Sequence, residues 1–307
     1  MPILEVENLS ISFRRYETGF KQKNLKVISS LHVTLEEGEI LAVVGASGSG
    51  KSLLAHAILG ILPGSASVSG TIKYEGGVLT KEKQKALRGK EMVLVPQSVN
   101  YLNPLMHVGK QVRTAVRQGD KVVAQREVFE RYHLGQSVED LYSFQLSGGM
   151  ARRVLLATAI VSGARVIIAD EPTPGLDPVV IKEALNNLRE LADQGCGVML
   201  ITHDIESALT IADKIAVFYG GTTVEIAPVD NFAGNGEELR HPYSKALWRA
   251  LPQNEFIPIP GSQPHPSALP QGCLFEPRCE KANHQCGKTQ PEMRKLRNGL
   301  VRCFDAT

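Results

Sequence analysis

The stretch Gly45-Ala46-Ser47-Gly48-Ser49-Gly50-Lys51-Ser52 follows directly on the apolar segment Ile40-Leu41-Ala42-Val43-Val44 and precedes Leu53-Leu54-Ala55-His56-Ala57-Ile58-Leu59-Gly60. A β-branched strand that stops at a Gly-rich turn and reopens as a helix is the setting of a phosphate-cradling loop. The glycines Gly45, Gly48 and Gly50 let the backbone turn so that the N–H groups of Ser47 to Leu53 face an anion, and the helix start adds partial positive charge. Lys51 is then placed for the β- and γ-phosphates and the Ser52 hydroxyl for Mg²⁺, so the stretch predicts a nucleoside triphosphate site.

Working outward, residues 3–13 alternate apolar and polar as a half-buried strand does, and Val27 to Leu35 reads as a second strand that feeds the loop after Glu36-Glu37-Gly38-Glu39. Arg14 to Lys26 reads as a basic, Gly-containing loop between them. Two readings of Phe13 compete, a ring that stacks an adenine and an ordinary strand residue in the core. Downstream, Ser69 to Tyr74 and Met92 to Pro96 read as strands, separated by a Lys-rich solvated segment, Lys81 to Lys90. A mostly polar helical insert, about 98–160, follows Gln97 and closes on Leu146-Ser147-Gly148-Gly149-Met150 and a helix carrying Arg152 and Arg153. The start of that helix offers free N–H groups and the Ser147 hydroxyl to an anion.

Arg165 to Glu171 is an uninterrupted apolar strand that ends in Asp170 and Glu171. Such a strand is covered on both faces of a parallel sheet, and its C-terminal end is where doubly wound sheets bind ligands. Asp170 is suited to hold Mg²⁺ through water, and Glu171 to act as general base on the attacking water. Val198 to Thr202 is another such strand, and His203 at its end is in reach of a γ-phosphate.

Taken together, GASGSGKS, Gln97, LSGGM, VIIADE, Gly175-Leu176-Asp177 and His203 stand in the order found in ATP-binding-cassette (ABC) ATPases, which residues 1 to about 230 resemble. The resemblance implies an α/β fold: a P-loop NTPase (RecA-like) core, an N-terminal antiparallel β subdomain, an inserted α-helical subdomain and a small Cys-containing C-terminal extension. The nucleotide-binding domain would span 1–235 and the extension 236–307. In the family, two such chains sandwich two ATP molecules head to tail. Ser147, Gly148 and Gly149 would then contact ATP held by the partner, Gln97 would sense Mg²⁺ and the membrane-spanning subunits, Asp177 would link the two sites, and His203 would hold the γ-phosphate. Phe13 falls where the family places its adenine-stacking aromatic.

A narrower likeness runs through Gln97-Ser98-Val99-Asn100-Tyr101-Leu102-Asn103-Pro104, the Met after LSGG, His241-Pro242-Tyr243-Ser244-Lys245 and Cys273-Leu274-Phe275-Glu276-Pro277-Arg278-Cys279. These resemble the oligopeptide, dipeptide and nickel importer branch; Ala151-Arg152 and Pro174-Gly175 depart from its usual residues. The branch implies an ATPase subunit at the cytoplasmic face of the cell membrane, peripheral to it. Its partners would be a second ATPase chain, membrane-spanning permease subunits and, through them, an extracytoplasmic solute-binding protein; peptides, nickel or a metal chelate are the candidate solutes. A soluble member of the family acting in translation or DNA repair, or an exporter ATPase, is the alternative. Translation factors of the family resemble tandem cassettes in one chain and the repair proteins carry long coiled coils, whereas one cassette stands here.

Composition agrees with an ordinary globular chain: 307 residues, 43% hydrophobic and 21% charged, with 34 basic against 32 acidic side chains. A net charge of +2 gives no reason to expect nucleic acid or an anionic lipid surface. No apolar run is long enough to span a bilayer, and Met1 to Glu7 lacks the character of a signal peptide. Five cysteines are too few for a secreted disulfide scaffold, yet Cys273, Cys279, Cys286 and Cys303 crowd near the C-terminus, while Cys196 reads as a small core residue. Pro252, Pro258, Pro260, Pro264, Pro266 and Pro270 make a semi-rigid tether before them. Four thiols fit zinc by count, but no close CxxC pair is present; a 4Fe-4S cluster tolerates the wider spacing, and some members of the branch carry one there. Free thiols remain the third reading, and disulfides suit an oxidising compartment instead.

Overall fold

Strand β3 (Ile40–Gly45) shows why the chain folds as it does: its six residues are all buried, and they divide between two cores. Ile40, Ala42 and Val44 face one hydrophobic cluster, while Leu41 and Val43 face the other. A two-residue side-chain period with apolar groups at every position leaves both sheet faces needing cover. The computed structural model, which describes residues 1–16 and 22–307, supplies it with helices on one face and, on the other, a second sheet together with the helix that follows β3.

The antiparallel sheet comes from β1 (Pro2–Tyr16), β2 (Gln22–Glu36), β4 (Ala66–Tyr74) and β5 (Gly77–Val78), in the order β2-β1-β4-β5. Strands β1 and β2 run on through residues expected to form the basic loop; of that loop, 17–21 lie outside the described residues. The larger sheet adds β6 (Met92–Val95), β7 (Val166–Asp170), β8 (Gly197–Thr202), β9 (Lys214–Tyr219), β10 (Thr222–Pro228), β11 (Arg294–Leu296) and β12 (Gly299–Val301). Its order is β11-β12-β10-β9-β3-β8-β7-β6. The pairs β6/β7, β7/β8, β8/β3 and β3/β9 are parallel, and the three beyond β9 are antiparallel. The C-terminal ends of β3, β7 and β8 therefore lie side by side, which puts the loops carrying Lys51, Glu171 and His203 at one sheet edge.

Helix α1 (Lys51–Ile58) leaves β3 through the glycine turn. Next comes α2 (Lys81–Leu87), where the sequence suggested only a solvated segment: Thr80 caps its start, and the buried Gln84 amide donates to Ala57 O and Ile58 O at 2.8 and 3.0 Å. The helical insert holds α3 (Val108–Ala115), α4 (Lys121–Arg131) and α5 (Gly148–Ile160), with 3₁₀ turns between. Then α6 (Pro178–Asp193) and α7 (Ile205–Ile211) cover the parallel strands.

The C-terminal region, with α8 (Pro242–Arg249) and α9 (His284–Lys288), is docked on the main core rather than hung from a tether. Tyr243, Trp248, Leu274 and Phe275 are buried in the same cluster as β3, and β12 pairs with β10. Burial of four such side chains contributes about 1.5–3 kcal/mol each. Arg278 pins the Pro-rich segment by donating to Ile259 O at 3.1 Å and Pro260 O at 2.6 Å.

Candidate active site

Between β3 and α1 the backbone must double back, and two glycines make that possible. A Cβ on Gly45 would lie 2.4 Å from the carbonyl oxygen of Phe218 on β9, so the loop's close approach to the sheet excludes a side chain there. Gly48 sits at φ +77 with open space where a Cβ would point, and so exposes backbone to the cleft. That cleft, about 510 Å³, is lined by Val27, Ser47, Gly48, Gly50, Lys51, Ser52, Leu53, Gln97, Glu171 and His203.

Lys51 is buried, and its ammonium donates to Gly45 O at 2.7 Å and Ala46 O at 3.2 Å. Burial lowers its pKa, opposed by the nearby Glu171 and Asp170 carboxylates. Ser52 Oγ donates to Asp170 Oδ1 at 3.1 Å, which ties the start of α1 to the end of β7. Loss of water pushes the Asp170 carboxyl up, and the Ser52 bond works against that shift. An ordered hydroxyl beside a buried carboxylate, under an ammonium held only by neutral carbonyls, is a donor set suited to Mg²⁺ and a polyphosphate.

Glu171 is 6% exposed and adopts φ +49, a left-handed conformation that costs a residue with a Cβ some strain. Its N–H donates to Ile201 O at 2.8 Å, and its Oε2 lies 2.8 Å from Nδ1 of the more exposed His203. The carboxylate is thereby turned from β7 toward the cleft. Gln97, exposed, completes the rim where β6 ends.

Other expected residues stand elsewhere. Phe13 is half-buried and packs against the second core, outside the cleft lining, so its strand role is the one its placement supports. The Ser49 hydroxyl points inward, fully buried and without a hydrogen-bond partner, so only its backbone can serve an anion. Ser147, Gly148 and Gly149 do not line the cleft; Ser147 Oγ accepts from Met150 N at 3.2 Å, capping an exposed α5 N-terminus. Asp177, also exposed, caps α6 by accepting from Val179 N and Val180 N at 3.2 and 3.1 Å. The Val27 contact and a bond from Arg152 Nη1 to Glu171 O at 2.9 Å have no signal in the sequence, because both join segments far apart along the chain.

The four C-terminal thiols of Cys273, Cys279, Cys286 and Cys303 line one small cavity of about 10 Å³, and all are free. As placed, no group of three or more His, Cys, Asp or Glu side chains among the described residues could hold a metal ion. Burial raises the pKa of Cys273, to about 11, and of Cys279 and Cys303, with their neighbouring thiols adding to the shift. Arg302, next in the chain to Cys303, is buried, and its guanidinium donates to Thr223 O, Pro291 O and Ser30 O at 3.1, 3.1 and 2.7 Å.

Comparison with known proteins gives concordant results. Residues 28–174 match the family model described as ABC transporter, and residues 224–286 that of the oligopeptide/dipeptide transporter C-terminal region. The chain is 33% identical to the oligopeptide transport ATP-binding protein AppD of Bacillus subtilis, over 98% of this chain and 96% of that one. It is 32% identical to the dipeptide transport ATP-binding protein DppD of Haemophilus influenzae, over 99% and 95%. Among solved structures, a dimeric bacterial ABC transporter cassette superposes with a TM-score of 0.65 at 23% identity, covering 74% of this chain and 98% of that one. No helix among the described residues is long and apolar enough to cross a membrane.

Proposed function

The chain belongs to the ATP-binding subunits of ABC transporters, in their oligopeptide and dipeptide branch, and is an ATPase; from that premise we propose that it drives peptide import through separate permease subunits at the cytoplasmic face of the membrane. One observation carries the reading of the site: Lys51, Ser52, Gln97, Glu171 and His203 meet in a single cleft that Ser147 to Gly149 do not reach. The cleft holds the phosphate cradle and the base, while an exposed, capped helix start is left to serve another chain's nucleotide.

Lys51 would exchange its two carbonyl partners for the β- and γ-phosphates. Ser52 and Asp170, with Gln97, would hold Mg²⁺, which neutralises charge developing on the phosphates. Glu171 accepts the proton of the attacking water, and His203, bonded to it, orients the carboxylate and meets the γ-phosphate. Closure of two chains completes both sites and does work on the permease; hydrolysis reopens them.

Dilution tests the composite site. ATPase activity of the isolated chain is expected to rise more than linearly with protein concentration, and Ser147→Arg to abolish it by blocking the face offered to the partner's nucleotide. Activity that stays linear down to dilutions well below the dimer Kd would rule the composite site out. Reconstitution with permease subunits and a peptide-loaded binding protein should stimulate hydrolysis; stimulation by an unrelated solute alone would reassign the cargo.

The C-terminal thiols supply a cysteine-ligated metal centre in this reading, a 4Fe-4S cluster rather than zinc. Four thiols on one cavity and no close CxxC pair favour the cluster; its ligands would have to rearrange and lose their protons to accept it. Anaerobically purified protein is expected to be brown, with absorption lost in Cys279→Ser. Colourless protein with stoichiometric zinc would transfer the same ligands to zinc, and metal-free protein under both conditions would leave them as thiols.

A further inference from the structure

Helix α5 touches the segment that follows β7 at two places. At the first, Arg152 Nη1 donates to the carbonyl oxygen of Glu171 at 2.9 Å. At the second, the first turn of α5 comes against Gly175 and Leu176: a Cβ on Gly149 would lie 3.8 Å from Gly175 O and 3.9 Å from Leu176 Cδ2. The stretch from Glu171 to Leu176 is thus braced at both ends by the helix whose capped start is Ser147.

Glu171 needs such bracing. Its φ of +49 is one that residues with a Cβ hold only where the surroundings impose it. Three attachments do so here: the N–H to Ile201 O, the carboxylate to His203, and the carbonyl to Arg152. The first is a sheet-edge bond and the second involves a largely exposed ring. The guanidinium bonded to the carbonyl makes a charge-assisted bond to the backbone itself and fixes the peptide plane after Glu171.

We propose that Arg152 is a positioning residue for hydrolysis, holding the backbone of Glu171 so that its carboxylate faces the cleft. The inference rests on the reading of Glu171 as general base. Arg152 does not line the nucleotide cleft, so its loss should act on turnover and leave binding alone.

The test compares Arg152→Met, Arg152→Lys and Glu171→Gln in the assembled transporter, with steady-state ATPase kinetics and binding of a fluorescent ATP analogue. Arg152→Met, which keeps length but removes the donor, is expected to lower kcat about tenfold with KM and analogue affinity within about twofold of wild type. Arg152→Lys, which keeps a charged donor for one carbonyl bond, should stay within about threefold of wild-type kcat. If Arg152→Met turns over normally while Glu171→Gln is silent, the positioning role is wrong and the base stands. Should Glu171→Gln itself turn over, the base reading falls and takes this inference with it. Arg152→Lys as impaired as Arg152→Met, or a loss of affinity equal to the loss of kcat, would also overturn it.

Discussion

Glu171→Gln is expected to lower the steady-state ATPase rate by about 10³-fold, roughly 4 kcal/mol in the barrier, while MgATP binding stays within about twofold of wild type. The amide has the shape of the carboxylate, and its oxygen still accepts from His203, so the 2.8 Å contact and the surrounding packing survive. What disappears is the group able to take a proton from water. Because Lys51, Ser52 and the glycine turn are untouched, nucleotide should remain bound and the paired chains should remain closed around it. Retention of turnover within about tenfold of wild type, a barrier change below about 1.4 kcal/mol, would remove Glu171 from the role of base.

How much of this could be read beforehand depends on the range of the interaction. Strands β3, β7 and β8 announce themselves because every residue in them but Asp170, at the end of β7, is apolar or small, and a strand buried on both faces needs no more than that. The cradle is equally local, since glycine positions and an adjoining Lys-Ser pair specify it. Helix α2 was hidden for the opposite reason. Four of its seven residues are charged, and it is held by contacts no local period reveals: the buried Gln84 amide reaching carbonyls on α1, Arg88 donating to Leu59 O at 3.1 Å, and Leu87 against the second core. Strands β11 and β12, three residues each, are too short for alternation to show, and their place at the sheet edge comes from β12 pairing with β10 and β11 with β12. Phe13 shows the limit of position along the chain: the aromatic at the expected place in the order is half-buried against the core, and the cleft lining does not include it. The Pro-rich segment has the composition of a tether, yet Arg278 binds its carbonyls and the aromatic side chains after it enter the main core. Nothing local encodes the left-handed turn at Glu171 either, because it is imposed by β8, His203 and α5 together.

Lys51→Ala is expected to act on the step that Glu171→Gln spares, weakening MgATP binding by about 100-fold or more, which corresponds to about 2.7 kcal/mol. The ammonium is already enclosed at 8% exposure and bonded to Gly45 O and Ala46 O, so its water has been given up before nucleotide arrives. Exchange of two neutral carbonyls for phosphate oxygens is then an exchange of neutral for charge-assisted bonds, with little further desolvation to oppose it. Truncation removes that gain and also leaves Gly45 O without its side-chain partner, at a cost in stability of about 1 kcal/mol. Ala46 O fares better, because Ser49 N donates to it at 3.2 Å. Lys51→Met separates the two effects: it keeps most of the buried stem and removes only the charge. Titration calorimetry with MgATP should therefore find both variants similarly weak, and a melting curve should find the alanine variant the less stable of the two. If either variant binds MgATP within about threefold of wild type, the ammonium is a structural brace for the turn and its charge does not reach the phosphates.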